Sequence, residues 1–345
     1  MDETPLSPML LVPELFAKVW GGRALERLGK RLPAGEMIGE SWEVADMPTT
    51  SASGAGGRAV RSVVASGELA GVSVTGLVAS RREELLGASA LSDAGGFPLL
   101  VKFLDARENL SVQVHPSPAY AAANPACKLK TECWYIMDHE PGAVIYKGVR
   151  PGMTRDVFAA AIAGGTVQEL LIAVPAVRGE CHNLPSGTCH ALGAGVLVAE
   201  VQTPSDTTFR IYDWGRAGRE LHVEQALACI DFGPAPAATR LEVGKARSRL
   251  VTTEFFTLDQ ARIGVGTGAS MSEPVEGNGE ARGQRGRCRV VVAISGEVTL
   301  ISTGAMFRPV QVRAGETALV PASVAGATRV ESVDGGEVLI ACVLG

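Results

Sequence analysis

The chain has 345 residues, of which 46% are hydrophobic and 20% are charged, a composition ordinary for a globular protein with more than one domain. The net charge of −5 excludes the broad basic field that attracts nucleic acid, so we expect no nucleic-acid partner. No apolar run reaches the length of a membrane span, so we expect no membrane partner either.

The pattern of cysteines and the first four residues indicate the cellular compartment of the protein. Seven cysteines are scattered along the chain without a C-x-x-C pair, which favours reduced thiols over a disulfide framework. Residues 1–4 include two acids, where a secretory signal would carry bases. We therefore expect a cytoplasmic protein.

Short apolar runs separated by Gly, Pro or Asp indicate a mostly β architecture with a small helical part. Thr154 is a good N-cap candidate for one of the few helices. The predicted helices are 74–86, 118–123, 154–163 and 223–229. The clearest predicted strands are 98–105, 110–114, 131–137, 142–147, 195–202, 208–213, 290–301 and 316–320.

Two polar stretches within predicted strands point to a binding site. Side chains alternate along a strand, so Ser111, Gln113 and His115 share one face. By the same rule Lys130 and Glu132 share a face of the next strand. A polar inner face is costly to bury unless it binds something.

A second histidine completes a candidate metal site. His190 follows the turn-rich stretch 185–189. With Gln113, His115 and Glu132 it offers nitrogen and oxygen donors that suit zinc or another divalent first-row ion. With one carboxylate and three neutral ligands, a bound divalent ion keeps a net positive charge, which favours Lewis-acid catalysis over a structural role.

Two cysteines lie one residue away from predicted ligands. Cys133 follows Glu132 and Cys189 precedes His190. Thiolate is a better zinc ligand than an amide oxygen, but an offset of one residue places a strand side chain on the opposite face. We predict that neither cysteine binds the metal.

Further along, the strand 196–202 carries Glu200 and Gln202 on one face, and Asp206 and Arg210 follow it. Taken alone, Arg210 is more often a surface or salt-bridge residue. Beside a metal pocket its planar guanidinium would bind a phosphate or stabilise an enediolate. The anion-binding candidates are Lys102, Ser111, Lys130 and Arg210.

The remaining histidines carry weaker signals. His139 lies in a polar turn, where we expect exposure to solvent, and His222 is an ordinary surface or interface candidate. His182 is expected in a loop before the turn at Pro185, and whether it lines a pocket is open.

Beyond His222 the chain has no histidine, yet 290–298 has the pattern of a barrel strand. We therefore predict a second β-barrel without a metal site. The segment 272–287 is rich in Gly, Glu and Arg, which predicts an exposed, mobile loop.

Several motifs in a fixed order carry a family resemblance from Leu11 to about Trp214. They are the segments 19–22 (VWGG), 38–44 (IGESWEV), 98–106, 110–116, 130–136, 185–193, 200–202 and 205–214. Together they resemble the type I phosphomannose isomerases, the zinc-dependent mannose-6-phosphate isomerases of the cupin superfamily, in their short bacterial form. The resemblance implies cupin (jelly-roll) β-barrels: a metal-binding catalytic region with helical insertions over 1–235, and a degenerate C-terminal barrel over 236–345.

The resemblance also implies site roles. One zinc ion per chain would be held by Gln113, His115, Glu132 and His190, with water as the alternative to Gln113. Ser111 and Lys102 would bind substrate. The catalytic candidates are Lys130, Glu200, Asp206 and Arg210. Which of Lys130, Glu200 and Asp206 moves the proton is left open, and a metal-bound group is a further alternative.

The implied reaction is the reversible isomerisation of mannose 6-phosphate and fructose 6-phosphate through an enediol, with zinc as Lewis acid. The expected partner is a phosphosugar substrate, and the expected assembly a monomer or homodimer. A different metal-dependent cupin, such as an iron dioxygenase, is one alternative, although it needs no Lys, Arg or Ser around the metal. A non-catalytic sugar-binding cupin is the other; the retention of all four ligands with Arg210 argues against it.

Overall fold

β-Strands dominate the computed structural model, which describes residues 5–271 and 286–344. The strands in this part of the chain are β1 (Met9–Val12), β2 (Glu14–Gly22), β3 (Ile38–Val44), β4 (Asp46–Met47), β5 (Val60–Arg61), β6 (Val63–Val64), β7 (Leu100–Ala106), β8 (Val112–Val114), β9 (Glu132–His139), β10 (Val144–Val149), β11 (Leu171–Pro175), β12 (Glu180–Leu184), β13 (His190–Leu192), β14 (Val196–Gln202), β15 (Phe209–Tyr212), β16 (Thr239–Arg240), β17 (Arg247–Thr252), β18 (Phe256–Ile263), β19 (Thr267–Ser270), β20 (Arg289–Ser302), β21 (Val310–Arg313), β22 (Thr317–Val320), β23 (Thr328–Ser332) and β24 (Gly336–Val343). Most of the predicted loop 272–287, and the residues 1–4 used to predict the compartment, lie outside the described residues.

The helices are few and short, as predicted. They are α1 (Ala52–Ala55), α2 (Val74–Leu86), α3 (Pro118–Ala123), α4 (Arg155–Ala163), α5 (Val223–Cys229) and α6 (Ala322–Ala325), with 3₁₀ turns at Ala24–Leu28 and Val167–Leu170. All four predicted helices are confirmed. The Thr154 hydroxyl accepts a hydrogen bond from the Val157 amide at 3.3 Å and so caps α4. No helix in the described ranges is long and apolar enough to cross a bilayer.

The eight predicted strands are confirmed with small shifts at their ends, but one loop prediction is wrong. His182 lies inside β12, where it pairs with Trp134 of β9. The strand is five residues long and carries polar side chains, so its sequence alone resembles a loop. Pairing to β9 supplies the backbone hydrogen bonds that make it a strand.

Two sheets face each other and enclose the polar residues. The seven-stranded sheet has the order β16-β12-β9-β14-β7-β3-β2, and the five-stranded sheet has the order β11-β10-β13-β8-β15. Trp134, Ile136 and Val198 of the first sheet share an apolar cluster with Ile145 and Leu192 of the second. The interior between the sheets therefore has an apolar part beside its polar part.

A ten-stranded sheet built mainly from C-terminal strands supports the outer face of the seven-stranded sheet. Val101, Phe103 and Val201 pack there against Val290 and Leu339. The other face of the ten-stranded sheet has a core of its own, with members such as Val291 and Ile340. The middle sheet is thus covered on both faces.

The N-terminal segment does not stay within one predicted domain. β1 pairs with β22 and with β6, so strands from both ends of the chain share the ten-stranded sheet. The domain boundary between residues 235 and 236 stays a prediction. β1 belongs to the predicted N-terminal domain, yet it pairs with β22 of the predicted C-terminal domain.

Cross-strand register arranges the interior side chains into two polar rows. The first row follows directly paired positions across the seven-stranded sheet: Trp42, Lys102, Glu200, Trp134 and His182. The second crosses the five-stranded sheet: Arg210, Gln113, His190 and Lys147. Directly paired residues project from the same face, so each row forms a continuous wall.

The close approach of β2 and β3 generates a stability prediction. A Cβ on Gly21 would lie 2.4 Å from the Gly39 amide nitrogen, and backbone cannot move aside as a side-chain tip can. Gly21→Ala should therefore lower the free energy of unfolding by about 1–3 kcal/mol, measured by urea denaturation. Gly326→Ala is the matched control, because a Cβ there meets nothing within 4 Å and φ is −67°. Equal effects of the two substitutions would contradict this account.

Candidate active site

Three predicted metal ligands meet between the facing sheets. His115 follows β8, Glu132 begins β9 and His190 begins β13. Their ligand atoms all lie within 4.8 Å of one another, and all three side chains are buried. Each imidazole Nε2 is 3.3 Å from a different oxygen of Glu132. The three side chains therefore present their donor atoms to one common point, as a metal-binding site requires.

Hydrogen bonds orient both imidazoles toward that point. His115 Nδ1 donates to the Thr207 carbonyl at 3.0 Å, and His190 Nδ1 donates to the Thr188 carbonyl at 2.8 Å. Since a carbonyl only accepts, the proton resides on Nδ1, and the Nε2 lone pair of each ring is directed at the common point, where a metal can bind it. Burial lowers the pKa of both histidines, that of His115 to about 3, so both are neutral near pH 7. This donor set fits a divalent first-row ion.

Glu132 is ionised although it has no exposed surface. Burial alone would raise its pKa, but the Lys130 ammonium at 2.5 Å holds the pKa of Glu132 well below its usual range. Lys130 Nζ also lies 3.1 Å from His115 Nε2. Lys130 precedes β9 by two residues and still lies on the same side as Glu132, as the alternation predicts.

The predicted fourth ligand, Gln113, lies beside this cluster. Its amide nitrogen is 3.2 Å from His190 Nε2. The amide oxygen and nitrogen exchange places by a half-turn of the amide group, so the oxygen can face the same point. A ligand role for Gln113 stays a prediction.

The two neighbouring cysteines lie away from the ligand group. Cys133 packs in the cluster on the outer face of the seven-stranded sheet, and Cys189 packs in a separate apolar cluster behind the five-stranded sheet. Burial raises the pKa of Cys189 to about 12 and that of Cys133 well above its usual range. Both thiols are therefore surrounded by apolar side chains, away from the donor atoms of His115, Glu132 and His190.

A pocket opens directly beside the metal-ligand group. All seven of the other predicted site residues line it: Lys102, Ser111, Gln113, Lys130, Glu200, Asp206 and Arg210. Their positions in the sequence span more than one hundred residues. The two polar rows contribute four of them, Lys102, Glu200, Gln113 and Arg210. The pocket combines cationic, anionic and hydroxyl groups.

Lys102 lies between two carboxylates at the wall of the pocket. Its ammonium is 3.2 Å from Glu200 Oε1 and 3.8 Å from Glu40 Oε2, and it lies 4.9 Å from the Trp42 ring centroid. Burial opposes the charged form, but Glu200 and Glu40 outweigh it and raise the pKa of Lys102. Lys102 is a permanent cation at any pH near neutrality.

Glu200 is the pocket carboxyl whose pKa is raised. Burial is the larger cause, and the negative charge of Glu132 is the second. The Trp134 indole donates to Glu200 Oε2 at 2.8 Å and fixes the orientation of the carboxyl group. A fixed carboxyl with a raised pKa suits proton transfer.

Asp206 and Arg210 shape the rim. Asp206 Oδ2 accepts a hydrogen bond from the Ser51 amide at 2.5 Å, which holds the start of α1 against the pocket. Arg210 is buried, and its Nη1 donates to the Glu220 carbonyl at 2.8 Å. That bond fixes the guanidinium in the wall.

Several residues line the pocket that the sequence patterns do not predict. They include Lys18, Trp20, Glu40, Trp42, Ser51, Trp134 and Arg219. Trp20, Glu40, Trp42 and Trp134 stand within motifs that carried the resemblance, so a signal existed without a role attached to it. His139 is exposed, as predicted, but it is the last residue of β9 and does not lie in a turn.

Comparison with known proteins identifies the family of this chain. The sequence model of the family described as phosphomannose isomerase type I, catalytic domain, matches residues 9–146. The chain is 37% identical over 266 residues to the mannose-6-phosphate isomerase of Streptococcus mutans, which covers 74% of this chain and 79% of that protein. It is 34% identical over 252 residues to the mannose-6-phosphate isomerase ManA of Bacillus subtilis, with 71% and 75% covered.

Solved structures give the same result for the fold. The mannose 6-phosphate isomerase of Bacillus subtilis superposes with a TM-score of 0.79 at 28% identity, covering 97% of this chain and 99% of that one. The apo form from Salmonella typhimurium superposes with a TM-score of 0.71 at 18% identity, covering 99% and 100%. The chain belongs to the type I phosphomannose isomerase family. The predicted mainly β, cupin-type fold is confirmed.

The separation of thiols from the ligand group generates a metal-content prediction. Cys189→Ser should bind as much metal as the unaltered protein, because the thiol faces away from the ligands. His190→Gln should lose most of the metal, because it removes one imidazole donor. Both are measured by elemental analysis after dialysis against metal-free buffer. Loss of metal in Cys189→Ser would overturn the ligand assignment.

Proposed function

We propose that the chain interconverts mannose 6-phosphate and fructose 6-phosphate at the His115–Glu132–His190 cluster. The observation that carries the proposal is the position of this neutral-imidazole and carboxylate cluster at the wall of a pocket that also holds cations and a carboxyl with a raised pKa. The names of the relatives support the same activity. No observation favours the dioxygenase or the non-catalytic alternative.

We infer one zinc ion per chain. The two-imidazole, one-carboxylate donor set supports zinc, and a solved mannose 6-phosphate isomerase of the same fold is bound with zinc and yttrium. Gln113 or water would supply a further donor. A bound zinc ion supplies Lewis acidity for the substrate oxygens at the reacting carbons.

Polar and cationic side chains of the pocket would bind the substrate and stabilise the intermediate. An enediol intermediate develops negative charge on its oxygens, and a fixed guanidinium or ammonium stabilises that charge. Arg210 and Lys130 are assigned this role because both line the pocket. Ser111 and Lys102 are assigned to substrate binding, since Lys102 keeps its charge between two carboxylates.

Glu200 is the favoured group for moving the proton between the two carbons. Its carboxyl faces the pocket, its pKa is raised, and the Trp134 indole fixes its orientation. Asp206 also lines the pocket, but its carboxylate already accepts the Ser51 amide. We assign Asp206 to holding the rim of the pocket in place.

A cytoplasmic location and a monomeric or homodimeric assembly remain predictions. Both are consistent with an enzyme of sugar-phosphate metabolism.

The test of the function is a coupled assay with mannose 6-phosphate as substrate and fructose 6-phosphate as the detected product. The purified protein should convert the substrate, lose the activity on treatment with a chelator, and regain it with zinc. Mannose without phosphate is the control substrate and should be a poor one, because it lacks the anion that the pocket cations bind. A zinc-loaded protein without turnover would contradict the proposal.

The choice of base is tested by comparing Glu200→Gln with Asp206→Asn. Glu200→Gln retains the acceptor for Trp134 but removes the titrating group, so kcat should fall by about 10²–10⁴-fold. Asp206→Asn should chiefly raise KM, since it loosens the rim. Zinc content, measured in both variants, controls for damage to the metal site. The reverse ranking of kcat would show that Asp206 is the base.

A further inference from the structure

A second cavity opens at the junction of the seven-stranded and ten-stranded sheets. It has a volume of about 150 Å³ and shares no lining residue with the catalytic pocket. Its walls come from distant parts of the described chain: 90–94 and Pro98, 128–129 before β9, 203–204 after β14, 254–255 between β17 and β18, and Leu344 after β24. Junctions between separately packed parts of a chain are preferred places for small-molecule sites.

The walls of this cavity are mostly apolar. Eight of its thirteen lining residues are Ala, Leu, Pro or Phe. Six of these side chains are half-buried: Leu91, Pro98, Leu129, Pro204, Phe255 and Leu344. A cavity of this volume with apolar walls is large enough to hold a benzene ring.

Hydrogen bonds join the walls to one another. The Ala90 amide donates to the Leu344 carbonyl at 3.2 Å, and the Leu344 amide donates to the Phe255 carbonyl at 2.9 Å. The Thr203 hydroxyl donates to the Leu129 carbonyl at 3.3 Å. The cavity is therefore already formed in the folded chain, and an occupant need not order its walls on binding.

Three charged side chains also line the cavity. They are Asp93, Lys128 and Glu254, and all three are exposed. Two carboxylates and one ammonium give this lining a net charge of −1. The charge favours a cationic group over an anionic one where the cavity opens to solvent.

We propose that this cavity is a second binding site, for a small organic cation with one apolar group about the size of a benzene ring. The apolar group would contact the Leu, Pro and Phe side chains, and the cationic group would lie near Asp93 and Glu254. Apolar walls offer few partners to water, so its displacement by an apolar group favours binding. A phosphosugar is the wrong occupant, because it is an anion without an apolar group.

An occupant would contact two segments that also carry residues of the catalytic pocket. Lys128 lies two residues before Lys130, and Pro204 lies two residues before Asp206. The Ser205 hydroxyl donates to the Lys128 carbonyl at 3.2 Å and so joins the two segments. The proposed site thus adjoins the catalytic pocket without being part of it, and both can be occupied at once.

The direct test is a crystal structure of the full chain soaked with 4-bromophenethylamine, whose bromine locates the ring by its anomalous scattering. A bromine peak inside the cavity, with the ring in van der Waals contact with Leu91 and Phe255, would support the proposal. A peak confined to the catalytic pocket or to a lattice contact would overturn it, as would the absence of a peak.

Ligand-observed NMR titration with phenethylamine tests the site in solution. Ala94→Phe, which fills the cavity from an exposed turn, should weaken binding by at least about tenfold, because the ring loses its place. Ala238→Phe is the matched control, since Ala238 is exposed and does not line the cavity. Equal binding by the two variants would overturn the proposal, and so would a crystal peak without binding in solution, which would mean binding at crystal concentration only.

The charge preference is tested with 3-phenylpropionate, which carries an anion on a similar apolar group. The unaltered protein should bind it roughly fivefold more weakly than phenethylamine. The double variant Asp93→Asn with Glu254→Gln leaves the cavity open and should lose this preference. Tighter binding of the anion by the unaltered protein would overturn the assignment of a cation.

Discussion

The burial of the Glu132 carboxylate is the constraint on which the site depends. A carboxylate without exposed surface is stable only where positive charge or donors surround it. Here the Lys130 ammonium, 2.5 Å from the carboxylate, provides this charge. Burial keeps both imidazoles neutral, so their Nε2 lone pairs lie beside the carboxylate, 3.3 Å from its oxygens. A site for a divalent cation follows from this combination.

The sheets hold this combination in place through register. A slip of one residue in β9 would turn Glu132 and Trp134 outward and Cys133 and Tyr135 inward. The ten-stranded sheet opposes such a slip, because Cys133 and Tyr135 pack in the apolar cluster that joins it to the seven-stranded sheet. The C-terminal strands therefore contribute to the site without lining it. They fix which face of the middle sheet is the interior.

The sequence predicted the parts of the site that lie on regular strands, and it missed those that depend on distant pairing. Alternation in β8 and β9 was enough to select Gln113 and Glu132 and to set Cys133 aside. Lys18 and Glu40 reach the pocket because β2 and β3 form the edge of the seven-stranded sheet. The pairing of β2, β3 and β7 cannot be predicted from any local sequence pattern. The prediction of a loop at His182 is wrong for the same reason, because β12 forms by pairing with β9. The pairing of β1 with β22, which joins the two ends of the chain, was likewise invisible to local patterns.

The coordination of the bound metal tests the central claim most directly. X-ray absorption at the zinc edge of the purified, active protein reports the number and type of ligand atoms. We expect two imidazole nitrogens at about 2.0–2.1 Å with the remaining ligands oxygen, from Glu132 and from Gln113 or water. A sulfur ligand at about 2.3 Å would contradict the account, because it would require Cys133 or Cys189 to face the metal.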